Sequence, residues 1–485
     1  MSLSAQTEPA DTKREPALRP LLAIATSLIA LGMYLLTIAP DLTWANAALD
    51  SPELITASAT LGVPHPPGYP TYVILGKAFS WLQLGSVAFR YNLFSAVAVA
   101  GAAGILVLAI SALHARIRIA AMMAAALLFA FSPLVWSQAV VAEIYGLNLL
   151  FLAIFLLVWI RQGATFLSGF WLGLAITTHL TSLFFLPALL LDGGRRFWRP
   201  IAGGVTGLFP LLLIPVLANS NSPVIWGQPT NVQDWAWLVS GRLYSANLRP
   251  EVDLDHLATL LRAVAFGPLG LMMVGNFRRV MVRTGGQTST DERRIPQLLG
   301  LTATIFVLFS MFYHTPDAAI NLLPVFIILA LLIAPALDRL GKAALLLPLL
   351  LVLMTFTSRD LSGDYEVRLN AQRMLTEAPD NALLLTPGNR TIFTILYFQH
   401  VEKVRPDIRV ADANLFAFDW YRDRLKAQYP ELYIPEGDNL VSFRQINEAS
   451  RPFCLANLVP ALGAVPVVSR PDRTNSLAIS QLDCH

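Results

Sequence analysis

The residues of this 485-residue chain best suited to chemistry gather between Asp41 and Tyr72, in DLTWANAALDSPELITASATLGVPHPPGYPTY. Asp50 and Glu53 are three apart, so on a helix they share a face and can jointly hold a proton or a hydroxyl group. A carboxylate in a partly desolvated site can serve as general base towards an alcohol, its pKa tuned by burial and neighbours. Asp50-Ser51-Pro52-Glu53 is equally a helix-capping box with proline in the first turn, and the two readings are compatible because a cap also orients the acid. Asp41 follows Pro40 near the aromatic Trp44. It is either a solvated helix exit or a second carboxylate facing Asp50 across a cleft. His65 stands in H-P-P-G-Y-P, whose prolines forbid helix and fix where His65 and Tyr69 point; it is either a hydrogen-bonded loop residue or a ligand-facing one.

Further polar groups recur at the same expected depth. Arg90 and Asn92 begin an apolar run in F-R-Y-N-L-F-S, where an arginine fork can bind phosphate or the side chain can reach out to lipid headgroups. Glu143 and Tyr145 lie in A-E-I-Y-G-L-N, His179 in T-T-H-L-T-S, and His314, Asp317 and Asn321 in Y-H-T-P-D-A-A-I-N. Arg242 and Tyr244 follow Trp226, Trp235 and Trp237, a set that suits sugar-ring stacking or a lipid phosphate and that an interfacial aromatic belt also explains. Each signal alone is weak. Their common side carries the information, because polar groups within membrane segments tend to mark sites or paths.

The elements that must position these residues are membrane helices. The chain is 55% hydrophobic and 14% charged, with a mean hydropathy of +0.55, which excludes a soluble protein of this size. Its net charge of +3 follows topology, so no nucleic-acid partner is implied. Apolar runs near 21–38, 92–113, 119–136, 147–160, 200–218, 257–276, 297–313, 320–337 and 343–357 are spans. The 166–191 segment is one over-long helix or two short ones broken near Thr177, Thr178 and His179. Charge decides: with a break, Lys13, Arg14, Arg19, Arg116, Arg118, Arg161, Arg195, Arg196, Arg199, Arg278, Arg279, Arg283, Arg293, Arg294, Arg339 and Lys342 share one side, about sixteen basic residues against about five. The expectation is a polytopic α-helical membrane protein with about eleven transmembrane helices and a retained N-terminal anchor rather than a signal peptide. Its parts are a cytoplasmic tail (1–20), a transmembrane domain (21–357) with a large first outer loop (41–91), and an extracytoplasmic α/β domain (358–485). Ser51 to Leu61 and Tyr72 to Leu84 read as short helices in that loop, the second lying along the interface. Cys454 and Cys484 could form one disulfide if their region is outside the cytoplasm.

D-S-P-E-L-I-T-A-S-A-T-L-G-V-P-H-P-P-G-Y-P, A-E-I-Y-G-L-N, T-T-H-L-T-S and the C-terminal L-T-P-G-N-R-T-I-F-T-I-L-Y-F-Q-H-V-E-K-V-R-P-D-I-R-V resemble a membrane family once catalogued only as a domain of unknown function. Its animal member is an O-mannosyltransferase acting on receptor IPT-type domains. More broadly the chain resembles the GT-C superfamily, in which an acid of the first outer loop is catalytic. The chain departs from the usual pattern at Pro52, where the family has glycine, and at Gly388, Asn389 and Arg390, where it has an aspartate-rich turn. The resemblance implies sugar transfer from a polyprenyl-phosphate donor, with a protein, lipid or glycan as acceptor, in an integral protein of a bacterial-type inner membrane. Asp50 is then the base, Glu53 and His65 its orienting partners, and Arg90 and Arg242 the phosphate ligands. No cofactor or metal is required, although the carboxylate pair could hold a divalent ion. A transporter or flippase, and a scaffold displaying the outer domain, are the competing classes. The first predicts ionisable groups spread through the membrane depth and an internal repeat, and the chain has neither.

Overall fold

Runs of Leu, Ala, Ile and Val can satisfy their backbone in hydrocarbon only as helices, and helices fill the first three quarters of the chain. The computed structural model describes residues 15–251, 253–265, 290–458 and 480–484. In order come α1 (Glu15–Thr37), α2 (Ser51–Thr60), α3 (Pro70–Phe79), α4 (Val87–Leu113), α5 (Ile119–Phe131), α6 (Pro133–Ala139), α7 (Tyr145–Gln162) and α8 (Phe166–Ile176). Among the described residues, seven helices are long and apolar enough to cross a membrane, and an eighth is reached if α5 and α6, bent by 66° about Ser132, form one span. The larger sequence-based number includes 257–276, which runs past the described residues, and the two short helices of 166–191. The N-terminal tail up to residue 14, with Lys13 and Arg14, the basic residues Arg278, Arg279 and Arg283, and the apolar run at 464–468 also lie outside the described residues.

The 166–191 segment breaks where its polar residues fall. α8 ends at Ile176, and after His179 a 3-10 turn, Leu180–Phe185, leads into Leu186–Gly193. At 11 residues α8 is about 16 Å long, too short to cross alone. Its neighbour is the Trp198–Gly207 helix, approached so closely that a Cβ on Gly169 would lie 2.0 Å from the Pro200 carbonyl oxygen and one on Gly207 2.2 Å from that of Phe170. Gly173 meets Gly204 and Gly207 in the same way. Residue numbers rise together along this contact, so the two helices run parallel and the intervening chain must turn back. Arg161, just before α8, and Arg195, Arg196 and Arg199, at the start of the next helix, therefore lie at the same end. Small residues four apart on both helices are what permit such backbone contact in lipid.

Beyond Arg359 the chain builds a four-stranded sheet of order β2-β1-β3-β4, from β1 (Leu383–Thr386), β2 (Arg409–Asp412), β3 (Phe453–Leu458) and β4 (Ser480–Cys484). β1 is parallel to both β2 and β3, while β4 is antiparallel to β3 and joined to it by a Cys454–Cys484 disulfide. The Asn389–His400 helix carries the crossover from β1 to β2 and packs on α2 of the first loop. This region is stapled to that loop at several points. The Leu361 amide donates to the Thr37 carbonyl at 2.9 Å, Arg359 Nη1 to Asn46 Oδ1 at 3.1 Å, Thr43 Oγ1 to Asp364 at 2.5 Å, and the Ala88 amide to Tyr397 Oη at 3.2 Å.

Candidate active site

Proline at the start of α2 and the H-P-P-G-Y-P corner hold the central group. Asp50 occupies the N-cap position of α2, yet its side chain makes no capping hydrogen bond. Glu53 does not reach back to it as a capping box requires. Instead Glu53, fully buried, turns to the corner, where its Oε1 accepts from the His65 amide at 2.6 Å and its Oε2 lies 3.1 Å from His65 Nδ1. The corner can deliver His65 there because Gly68 takes φ +90°, a left-handed value that other residues resist, and Tyr69 follows at φ +42° as the N-cap of α3. His65 Nε2 is 3.2 Å from Tyr69 Oη and 3.8 Å from Asp50 Oδ2. The imidazole thus lies between the two acids, and of the three side chains Asp50 is the open one, 44% exposed against none for Glu53.

Charge follows from this geometry. Burial alone pulls the His65 pKa down, but the Glu53 and then the Asp50 carboxylate outweigh it and push it up to about 9, so the ring is a cation at neutral pH. Asp50 is raised above the usual carboxylate range, by desolvation first and against the pull of His65. Glu143 is raised further, again by burial first and then by Asp50, and Asp317 is near enough to add to the shift. Ser51, next to Asp50, donates to the Ala142 carbonyl at 2.7 Å, and Ser95 Oγ donates to the Glu143 carbonyl at 3.2 Å, which ties the Glu143 loop to α2 and α4.

Aromatic rings pack around His65. The 219–256 loop is sewn to the corner by Val63 N to the Val224 carbonyl at 2.9 Å and Trp226 N to the Val63 carbonyl at 3.0 Å, which sets Trp226 and Tyr244 each 6.3 Å from His65. Tyr145 packs 5.4 Å from His179, whose Nδ1 is 2.6 Å from Thr181 Oγ1; together with Asn148 and Asn321 they line a small pocket. Arg242, near Tyr244, is exposed.

Four expected residues are used elsewhere. Asp41 accepts from the Leu42 amide at 2.8 Å and pairs with Arg368 at 2.7 Å, while Arg368 also binds Glu402; instead of facing Asp50 across a cleft, Asp41 joins the first loop to the C-terminal region. Arg90 spends three N–H groups on the carbonyls of Ser80, Leu84 and Gly85, clasping the turn before α4 rather than reaching for phosphate. Asn92 donates to the carbonyls of Ala39 and Asp41 and so fixes the end of α1. His314 stacks on His256 with centroids 4.6 Å apart and lies 3.2 Å from the Glu251 carbonyl oxygen. Phe393 and Trp420 of the C-terminal region, 6.4 and 5.6 Å from Trp226, were not anticipated near the site. No local pattern could bring them there, because the contacts close more than 160 residues of chain.

Residues 50–192 match the model of the protein O-mannosyl-transferase TMEM260 N-terminal domain, and residues 367–433 match TMEM260-associated domain 2. The mouse protein O-mannosyl-transferase TMEM260 is 24% identical over 479 residues, covering 87% of this chain and 66% of that protein. The Dictyostelium discoideum protein O-mannosyl-transferase tmem260 is 22% identical over 494 residues, covering 83% of this chain and 60% of that one. The chain thus spans just under two thirds of the length of these relatives. The crystal structure of ArnT from Cupriavidus metallidurans, bound to undecaprenyl phosphate, superposes with a TM-score of 0.56 at 12% identity over 91% of this chain and 92% of ArnT. By domain match, relatives and fold, the chain is a polytopic membrane protein that shares the fold of ArnT and resembles the TMEM260 protein O-mannosyl-transferases.

Proposed function

We propose that the chain is an inverting glycosyltransferase that moves a sugar, mannose first among the candidates, from a polyprenyl-phosphate carrier to a hydroxyl acceptor at the outer face of the membrane. One observation carries this reading. Asp50 is a half-exposed carboxylate that caps no helix amide and is backed by a histidine that a fully buried glutamate holds in place. An acid so placed can take the acceptor's hydroxyl proton while the oxygen attacks the anomeric carbon and the bond to the phosphate breaks with its electrons on the leaving group. The His65 cation opposes the burial that raises the Asp50 pKa, and Glu53 orients His65 rather than touching substrate. The names of the relatives support a mannosyl group and a protein acceptor, and the lipid bound to ArnT supports a polyprenyl-phosphate donor.

Tyr69, Tyr145, Tyr244, His179, Glu143 and Asp317 surround the space where donor and acceptor meet, and exposed Arg242 is one candidate for contact with the donor's phosphate. Asp50, Glu53 and His65 each offer a ligand atom within 4.8 Å of the others and could hold a divalent ion. Both Glu53 oxygens are already turned to His65, so the group is assigned to proton handling without a metal. Eleven spans, a cytoplasmic N-terminus and an extracytoplasmic C-terminal α/β domain complete the proposal. Purified protein, a panel of radiolabelled polyprenyl-phosphate sugars and the Asp50→Asn variant provide the test. Wild-type transfer with one donor, lost in the variant, is expected; equal turnover by both removes Asp50 from the chemistry, and no transfer with any donor removes the enzymatic reading.

A further inference from the structure

The Asn389–His400 helix begins at the carboxyl end of β1, the strand flanked by β2 on one side and β3 on the other. That is the switch point of a parallel sheet, where the crevice outside the strand ends takes ligands, and the helix start adds a partial positive charge, with the Asp412 carboxylate of β2 already taking the Gly388 amide and the Thr391 amide turned to the Gly388 carbonyl. No side chain caps this helix. What stands over its first turn is Trp44 of the first outer loop, with the Arg390 guanidinium 5.2 Å from the centre of its ring. Trp44 is only 8% exposed, and its indole N–H has no hydrogen-bond partner. Arg390 Nε is likewise buried without a partner, and among the described residues no carboxylate pairs with its guanidinium. Burial lowers the Arg390 pKa, as expected of a cation lacking a counter-charge.

Two routes connect this spot to Asp50. Trp44 lies six residues before it on the same loop, and from Arg390 one helical turn leads to Phe393, then to Trp226 and His65 at 6.4 and 6.3 Å. We infer that Arg390, the Trp44 indole N–H and the first turn of the 389–400 helix form an oxyanion subsite that takes the phosphate of the lipid-linked donor. Three kinds of donor suit the several oxygens of a phosphate, and the indole face holds the guanidinium fork flat towards it. The subsite would give the C-terminal region a direct part in substrate binding, and it rests on the donor reading above.

The test is binding of undecaprenyl phosphate, and separately of inorganic phosphate, to the detergent-solubilised full chain by microscale thermophoresis. Arg390→Gln should weaken lipid-phosphate binding roughly 10- to 100-fold. Arg390→Lys should recover part of the loss, and Trp44→Phe, which keeps the ring but not the N–H, should weaken binding a few-fold. Circular dichroism and thermal melts check that each variant is folded. An unchanged Kd in Arg390→Gln overturns the subsite, and inorganic phosphate binding as tightly as the lipid overturns its assignment to the donor. Asp50→Asn separates this inference from the catalytic reading: it should bind the lipid normally while transferring nothing. Normal transfer by Asp50→Asn together with lost binding in Arg390→Gln would leave the subsite standing and the base assignment fallen.

Discussion

At the scale of single residues, Asp50, His65 and Glu53 form a graded series from open to sealed, and each predicts a different defect. Removing the base while keeping its shape, Asp50→Asn, should lower kcat by about 10²- to 10⁴-fold with little change in melting temperature, since the side chain caps nothing. The pH–rate profile should be bell-shaped. Its acid limb should lie above the range of an ordinary aspartate, because Asp50 must lose its proton and its pKa is raised. Its alkaline limb should lie near 9, where His65 loses the proton that holds its ring between the Glu53 and Asp50 carboxylates. His65→Gln removes the cation that pulls the Asp50 pKa down, so the acid limb should move to higher pH; a limb that stays in place would show that the two do not communicate. These three residues were legible in the sequence because they lie within sixteen positions and a proline corner constrains them. Asp41, Arg90 and Asn92 were not, since their type announces a charge or an amide but not its partner, and for Asp41 the partner is Arg368, more than 300 residues away.

Among the elements, the 166–193 stretch shows how far local pattern goes. T-T-H marks a break because threonine and histidine offer side-chain groups to backbone left open there. The structure ends α8 at Ile176 and ties the turn down through Asn148, whose Nδ2 donates to Ala175 O, Thr178 Oγ1 and Ser182 Oγ at 2.8–2.9 Å. The partner of α8 was not legible: glycine spacing on two helices says that each can be approached, not by whom. Because the contact is backbone to backbone, it predicts a steep response to volume. Gly169→Leu would drive carbon into the Pro200 carbonyl and should cost about 1–3 kcal/mol or more, read as a lower melting temperature in detergent. Gly32→Leu, where a Cβ meets nothing within 4 Å, should leave it unchanged. If both variants melt alike, the parallel pairing of α8 with the Trp198–Gly207 helix is wrong.

For the whole molecule, the contacts between elements say which parts share a side, and the charge bias is the basis for proposing which side that is. The Leu361 amide bonded to the Thr37 carbonyl puts the ends of α1 and of the Gly341–Arg359 helix on one face, and Arg368 pairing with Asp41 continues the seam into the C-terminal region. The first loop, with Asp50, therefore lies wherever the sheet lies, whatever the number of spans between. That the sheet docks on the loop could not be read from sequence, since each looks self-sufficient and the contacts are scattered single bonds. On the proposed orientation, which follows the positive-inside bias, Lys342, at the far end of the Gly341–Arg359 helix, faces the cytoplasm and the docked pair faces outward. A cysteine at exposed Asp438 should react with a membrane-impermeant maleimide in intact spheroplasts, and one at exposed Lys342 only after lysis. The native pair is disulfide-bonded and should stay silent without reductant. The reverse pattern would put Asp50 on the cytoplasmic face and require a donor presented from that leaflet. Labelling of both from one side would mean that the Gly341–Arg359 helix does not cross the membrane, and the shared face would then no longer define the site's compartment.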